Sequence, residues 1–522
     1  MHSYTNYFPT RSEHDQLDVV PLLHAGLRDN GERTLIVFNG VQTSFADMSR
    51  RVADMQHWLA ARGIQPGDRV ALMLENGLEH MSLIYALMLG GIVWVPVNTR
   101  LKTAGISYLL GHCAPDLFIA QRSFGEALAD ITDLDDKLVW LDQVQAAPAA
   151  TPRQPQASLV AHDQPLCLIY TSGTTGAPKG VIFTHRMMRI ASEATLIVSD
   201  VQAGDRMFVW EPLCHIGGAQ MLLVPFLQKT ELHIVERFSS SKFWQQVATA
   251  EATHLHYLGG ILDILAQLPQ ELQPAQHSIR VAWGAGVSAK AWDGILARLK
   301  LSLRECYGMT EGSSFATVNA SGKAGSIGRA LPWLQVELLD AAGLAVATGE
   351  IGQVVVSSAI EGCFLPGYLD NPRATAEALQ GGKLHTGDLA RMDADGDLYF
   401  VGRKTDSMRV RGENVSAWEI ERVFVMHPAI AAAAAVGVDS AVGEQEIMLY
   451  VQFKDGQACS FDTLAEWARS RLASYQLPRY YLQVAAFETT LSERIKKHLL
   501  QRDIGAAWDR QAMQQRVGAT AR

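Results

Sequence analysis

Hydrophobic and polar positions along this chain follow two rhythms, one helical and one strand-like, that replace each other repeatedly. From Ser49 to Ala61 apolar residues recur at roughly helical spacing, and Gly63 with Pro66-Gly67 closes the segment. Val70 to Met73 is a short apolar run of strand length, Met81 to Leu89 reads as a helix and Ile92 to Val97 as a strand. The run from Met81 to Val97 contains Gly90, Gly91 and Pro96 and falls short of a bilayer span. It therefore predicts a buried helix followed by a strand, and no integral membrane segment. Strands alternating with helices predict an α/β fold with parallel sheets covered on both faces.

Two places interrupt the pattern. Ala146 to Ser158, rich in Ala, Pro and Gln, reads as an exposed connector. The alternation then continues from Leu166 to Phe400 and changes character after Gly402: Arg403 to Arg411 is charged, and the remaining hundred-odd residues predict a small α+β unit. A domain boundary is placed there, dividing residues 1–402 from 403–522. Residues beyond about Ile504 read as a helical or frayed tail, and no internal repeat is present.

Composition narrows the setting. The 522 residues are 48% hydrophobic and 19% charged, as expected of an enzyme with a large buried core. A formal net charge of −9 argues against a broad nucleic-acid or anionic-membrane surface, since both reward clustered Lys and Arg. The N-terminal residues show no basic cluster followed by an apolar core, so they do not read as a secretory signal. Six cysteines (113, 167, 214, 306, 363 and 459) lie far apart, which suits reduced thiols and a cytoplasmic location better than a disulfide framework or a zinc site.

The most informative stretch is Tyr170-Thr171-Ser172-Gly173-Thr174-Thr175-Gly176-Ala177-Pro178-Lys179-Gly180. Its glycines let backbone N–H groups converge on an anion, its hydroxyls add donors and Lys179 adds positive charge. Apolar runs at 166–169 and 181–183 flank it, so the loop is expected to join two strands in a hairpin. It is not the common P-loop, because no Gly-Lys-Ser/Thr opens a helix. The bland alternative is a flexible polar hairpin tip.

Further segments follow in order. They are Glu211-Pro212-Leu213-Cys214-His215-Ile216-Gly217-Gly218, Trp283-Gly284-Ala285-Gly286-Val287-Ser288, Glu305-Cys306-Tyr307-Gly308-Met309-Thr310-Glu311, His385-Thr386-Gly387-Asp388, Gly402-Arg403-Lys404-Thr405-Asp406 and Arg411-Gly412-Glu413-Asn414-Val415. Singly, each has an ordinary reading: His215 as a satisfied core histidine, Trp283 as core packing, Glu311 as a surface acid, Asp388 as turn chemistry.

Together with the hydroxyl-rich loop they resemble the signature set of the adenylate-forming superfamily, in its acyl-CoA synthetase branch. The layout is similar to crotonobetaine/carnitine-CoA ligases and medium-chain acyl-CoA ligases, and the likeness runs from about residue 20 to 503. It implies a large N-terminal domain of stacked mixed sheets with helices, and a small mobile C-terminal α+β domain on a hinge near 403–406. It also implies ATP, Mg²⁺ and coenzyme A as partners of a small carboxylic acid, with the oligomeric state left open up to a homodimer.

By the same likeness, Thr171, Ser172, Gly173, Thr174, Thr175, Gly176 and Lys179 embrace the β- and γ-phosphates of ATP. His215 lies by the acyl group; Gly284, Ala285 and Gly286 border adenine and acyl groups, Gly308 borders the acyl group, and Trp283 either reshapes the acyl pocket or packs in the core. Glu305, Cys306, Tyr307, Gly308, Met309 and Thr310 line the nucleotide, with Tyr307 stacking on adenine and Thr310 touching phosphate. Glu311 holds Mg²⁺, Asp388 takes the ribose hydroxyls and Arg403 reaches ribose or phosphate. Thr405 stands at the pivot, and Arg411, Gly412 and Glu413 line the pantetheine channel after the small domain rotates. Trp210, Tyr257 and Trp283 are the aromatic faces open to a quaternary ammonium acid, against ordinary packing.

One departure stands out. Where relatives carry a lysine in a Gly-Lys-Ile-x-Lys pattern, this chain reads Ser492-Glu493-Arg494-Ile495-Lys496-Lys497. Arg494 keeps the charge in a different geometry. Catalysis by Arg494 is the expected reading, with Lys496 or Lys497 in a shifted register, or impaired adenylation, as the alternatives; a carrier protein in place of CoA is a separate alternative for the acceptor.

Overall fold

The structure, a computed structural model, describes residues 4–8, 11, 15–131, 134, 136–144, 153–171, 177–258, 261–274, 276–287, 289–340, 342–403, 407–440, 443–488, 495 and 497–512. Two large sheets organise the first part of the chain. A nine-stranded sheet runs, from one edge to the other, through strands 329–330, 314–318, 302–309, 281–285, 254–258, 206–209, 231–234, 34–38 and 41–44. Its middle strands are parallel and its two ends antiparallel. A six-stranded sheet orders strands 138–140, 117–120, 69–73, 93–96, 165–171 and 179–184, parallel until the last pair.

Both faces of each of these two sheets are covered, as the alternation of strands and helices predicted. Val70 and Leu72 face a core shared with Leu35 and Ile36 of the other sheet, while Ala71 and Met73 face a second core with Ile106, Leu109 and Phe118. The nine-stranded sheet has its own outer layer in Phe208, Trp244, Leu255 and Ile295. Between the sheets lie helices that are buried almost all round, a pattern expected of core helices. In Leu78–Gly90 every residue from His80 to Leu89 is buried, and Gly91 ends the helix at φ 65. Helix His185–Ser199 begins at the Thr184 side chain, which accepts from the Met187 N–H at 3.2 Å. A third, antiparallel sheet of strands 334–339, 351–358, 379–380, 383–392 and 398–403 follows.

From residue 407 onward the chain builds a separate apolar cluster around Val415, Phe424, Leu449, Leu464 and Tyr481. A two-stranded ribbon, Ser407–Val410 with Glu413–Ser416, leads into helix Ala417–Val425. A four-stranded sheet and helix Phe461–Arg469 complete it. The expected helical or frayed tail is corrected at Trp508–Asp509, a strand edge on Tyr480–Gln483; residues 510–512 after it are helical, and the rest of the tail lies outside the described residues. Its anchor is the Trp508 ring, 5.3 Å from Tyr481 at 79°. Among the described residues, no helix is long and apolar enough to cross a membrane.

Candidate functional site

The hydroxyl-rich loop does join two antiparallel strands, with Thr171 opposite Lys179 and Tyr170 opposite Gly180. Ser172, Gly173, Thr174, Thr175 and Gly176 lie outside the described residues. The hairpin ends meet Glu311, whose Oε1 accepts from the Tyr368 hydroxyl at 2.8 Å and from Thr171 at 3.5 Å. Lys179 Nζ stands 4.4 Å from the centre of the Tyr368 ring. Glu311 is 5% exposed, and among the described residues no basic side chain pairs with it. A buried carboxylate surrounded by hydroxyls suits a hard divalent cation. The other acidic group, Asp393, Asp395 and Asp397, does not, because Lys323 Nζ already lies 2.5, 3.0 and 3.5 Å from the three.

Two backbone irregularities shape the cleft. Strand Ser302–Met309 slips register between Tyr307 and Gly308, where a Cβ on Gly308 would fall 1.7 Å from the Ser314 carbonyl. Only glycine allows that approach. Strand Lys383–Met392 bulges opposite Gln353 and Val355, with Gly387 at φ 75, and so re-aims Asp388. Asp388, 2% exposed, accepts from the Tyr307 hydroxyl at 2.7 Å. Arg403 pairs with Asp388 across the strands; its side chain, together with Lys404, Thr405 and Arg494, lies outside what is described.

These elements enclose a cavity of about 300 Å³. Thr171, Lys179, His215, Ala285, Cys306, Gly308, Met309, Thr310 and Glu311 line it, with Arg409, Gly412 and Glu413 from the later part of the chain. A smaller cavity of about 100 Å³, beside Tyr108, Pro178 and Tyr475, shares Tyr170, His215 and Glu413 with it. A larger groove of about 530 Å³ around Val37, Gln42, His233 and Glu251 holds none of the motif residues.

Glu413 ties the two parts of the chain together. One oxygen lies 3.2 Å from His215 Nε2, the other 3.2 Å from the Arg100 guanidinium. Burial disfavours both charges, but the pairing outweighs it. Glu413 is drawn down to about 2, and the carboxylate lifts His215 above its ordinary value.

Several expected site residues sit elsewhere. Glu305 does not line the cavity. Strand alternation turns it to the opposite face from Cys306 and Gly308, where it accepts from the Tyr257 hydroxyl and the Gly286 N–H, both at 2.5 Å. Burial pushes its carboxyl up to about 7, against these hydrogen bonds. It braces the Gly284–Gly286 turn, and Gly284 runs so close to Tyr257 that a Cβ would meet its carbonyl at 1.9 Å. Trp283 is wholly buried, 4.1 Å from the His256 ring and 5.6 Å from Phe315, so of its two readings packing is the one observed. Trp210 donates to the His256 carbonyl at 2.7 Å and is 8% exposed, and Tyr257 is fully buried; neither offers an open face. Arg411 is exposed at φ 51, and it is Arg409 that reaches the cavity. Lys497, a candidate in a shifted register, is paired with Glu421 at 2.7 Å.

Among the cavity residues that sequence reasoning missed, besides Arg409, are His256, Phe315, Tyr368 and Tyr170, the last held by His112 at 2.7 Å. His256 carried a usable signal, being one of two histidines inside an otherwise apolar strand.

Residues 23–369 match the AMP-binding enzyme family, and residues 419–494 match the AMP-binding enzyme C-terminal domain. A feruloyl-CoA synthase of Amycolatopsis is 30% identical over 480 residues, covering 90% of this chain and 96% of that protein. A long-chain-fatty-acid–CoA ligase of Mycobacterium tuberculosis is 29% identical (89% and 94% covered), and a crotonobetaine/carnitine–CoA ligase of Citrobacter koseri 27% (86% and 92%). Among solved structures, a double mutant of Bacillus subtilis o-succinylbenzoate CoA synthetase bound with its product analogue OSB-NCoA superposes with a TM-score of 0.84 at 24% identity, covering 94% and 100%. The same enzyme with its acyl-adenylate intermediate gives 0.69, also at 24% identity, covering 94% and 99%.

Proposed function

The chain belongs to the AMP-binding enzyme family, and on that premise we infer that it is an AMP-forming acyl-CoA synthetase. It joins a carboxylic acid, ATP and CoA into acyl-CoA, AMP and diphosphate through an acyl-adenylate. The observation that carries the reading is the convergence of Thr171, Lys179, Thr310 and Glu311 with His215 and Glu413 on one cavity.

In the first half-reaction a carboxylate oxygen attacks the α-phosphorus and diphosphate leaves. Two anions must approach each other, so positioning and charge stabilisation dominate. Lys179 supplies a cation and Thr171 a hydroxyl donor at the phosphate end, and Thr310 adds a second hydroxyl there. A Mg²⁺ held by Glu311 would offset the remaining repulsion between carboxylate and phosphates. Asp388 accepts from the ribose hydroxyls, with Tyr307 holding one of its oxygens in place. Arg494 takes the place of the lysine that relatives bring to this step.

In the second half-reaction the CoA sulfur attacks the mixed anhydride carbonyl and AMP leaves. We assign the smaller cavity, running past Tyr475 to His215 and Glu413, to the pantetheine arm. The higher TM-score against the CoA-product analogue complex than against the adenylate complex supports a thioester-forming arrangement here. The separate cores before 403 and after 407 support a hinge between them, near 403–406. Free thiols at all six cysteines agree with a cytoplasmic setting.

The test is a panel of carboxylic acids assayed for AMP release with and without CoA. Acid-dependent AMP release that turns over only with CoA is expected. Turnover with a carrier protein and none with CoA would move the acceptor to that class.

A further inference from the structure

Glu211 and His256 form a buried pair beside the acyl end of the cavity, with His256 in its wall. The His256 Nδ1 hydrogen-bonds the Glu211 carboxylate, and the two side chains are 2% and 1% exposed. Aromatic residues pack around the imidazole. Trp283 packs 4.1 Å from the imidazole, Phe315 stands edge-on at 6.3 Å, and Trp210 donates to the His256 carbonyl. What remains is His256 Nε2 and Glu211 Oε1, and neither has a hydrogen-bond partner. Leaving two such groups dry is costly unless something in the cavity satisfies them.

The cavity wall includes His256 and Gly217, and the Glu211 carboxylate lies next to both without lining the cavity itself. A Cβ on Gly217 would lie 3.0 Å from Glu211 Oε1 and 3.3 Å from His256 Cε1, so the glycine keeps the approach open. His256 sits two residues before Leu258 on a strand in register with Ala285, about 7 Å further from the nucleotide turn. On the acyl-activating reading, that depth would face the far end of a bound acid, away from the activated carboxylate.

We propose that this pair recognises a hydroxyl on the distal part of the acid, making the substrate a hydroxylated carboxylic acid; this rests on the acyl-activating reading above. A hydroxyl both donates and accepts. It can donate to Glu211 Oε1 while accepting from an Nε2–H, or donate to a bare Nε2, so it fits either protonation state of the imidazole. A second carboxylate has nothing to donate to Oε1 and meets its charge. A quaternary ammonium lacks the N–H, and the aromatic faces that would hold it are covered.

Equilibrium binding to the full chain tests this without relying on turnover. Matched pairs are 4-hydroxycinnamate with 4-methylcinnamate, 6-hydroxyhexanoate with heptanoate, and 8-hydroxyoctanoate with nonanoate, with 4-(trimethylammonio)butanoate as the cationic arm. In at least one pair the hydroxylated acid should bind about tenfold or more tightly, because a site built for a hydroxyl leaves its polar groups unpaired with the isostere. The preference should collapse in His256→Phe and in Gly217→Ala, whose methyl crowds the pair without altering its chemistry. Equal or tighter binding of the apolar member in every pair overturns the proposal, as does tighter binding of the cationic acid. The wild-type comparison stands even if a variant fails to fold. A hydroxyl preference in binding without acyl-CoA formation would instead contradict the synthetase reading alone.

Discussion

Replacing Glu413 by Gln should separate the two half-reactions. The side chain is 10% exposed and faces two cations, His215 and Arg100, which are 36% and 47% exposed. Breaking a fully buried pair costs about 3–5 kcal/mol, and an exposed one about 0–1 kcal/mol. With both cations more than a third open to solvent, the latch contributes about 1–2 kcal/mol, or about five- to thirtyfold in the population of this arrangement. That penalty falls on the arrangement in which the later part of the chain meets His215, assigned above to thioester formation. Acid-dependent pyrophosphate exchange should therefore stay within about twofold, while acyl transfer from preformed adenylate to CoA slows by about tenfold.

The pH profile sharpens this prediction. His215 is raised from 6.5, so its contribution is complete below that value and is lost as pH rises through the raised pKa. Glu413 is lowered from 4.5 to about 2, so its contribution is complete above 4.5 and is lost only as pH falls toward 2. The thioester step should weaken on the alkaline side, and Glu413→Gln should abolish that limb. Equal slowing of both half-reactions, or an unchanged alkaline limb, would refute the latch.

Gly308→Ala should destabilise the fold by about 3 kcal/mol or more, seen as a lowered unfolding temperature, because the methyl overlaps the Ser314 carbonyl and not a movable side chain. Glu305 is raised to about 7 by burial, so the native state holds a proton that the unfolded chain releases near 4.5, and stability falls as pH climbs between the two. Glu305→Gln should flatten that slope, worth up to about 3 kcal/mol between pH 5 and 8, in parallel denaturation curves of the two proteins. Arg494→Ala should abolish acid-dependent pyrophosphate exchange; an unchanged rate would remove Arg494 from the adenylation step.

Local chemistry makes the hairpin legible in the sequence, because its apolar flanks at 166–169 and 181–183 and its glycines leave few other conformations. The same holds for helix 45–61, whose Ser44–Asp47 capping box starts it just ahead of the predicted span. What escaped was set by contacts distant in sequence. The strand at 508–509 exists because Trp508 finds Tyr481, and nothing local in that tail asks for a strand. Within the Glu305–Glu311 stretch, period-two alternation already separates Glu305 from Cys306 and Gly308, so its place as a brace is legible in principle. The Glu211–His256 pair is not, since its members lie 45 residues apart and meet only through the packing around neighbouring strands.

The central claim is that one cleft forms an acyl-adenylate and passes it to CoA. A single-turnover experiment tests it most directly: enzyme, ATP, Mg²⁺ and an accepted acid are mixed, quenched and weighed by mass spectrometry, then chased with CoA. The account predicts an acyl-adenylate that accumulates with diphosphate and then decays into equal amounts of acyl-CoA and AMP. Acyl-CoA appearing with ADP and phosphate, with no adenylate before the chase, would contradict it.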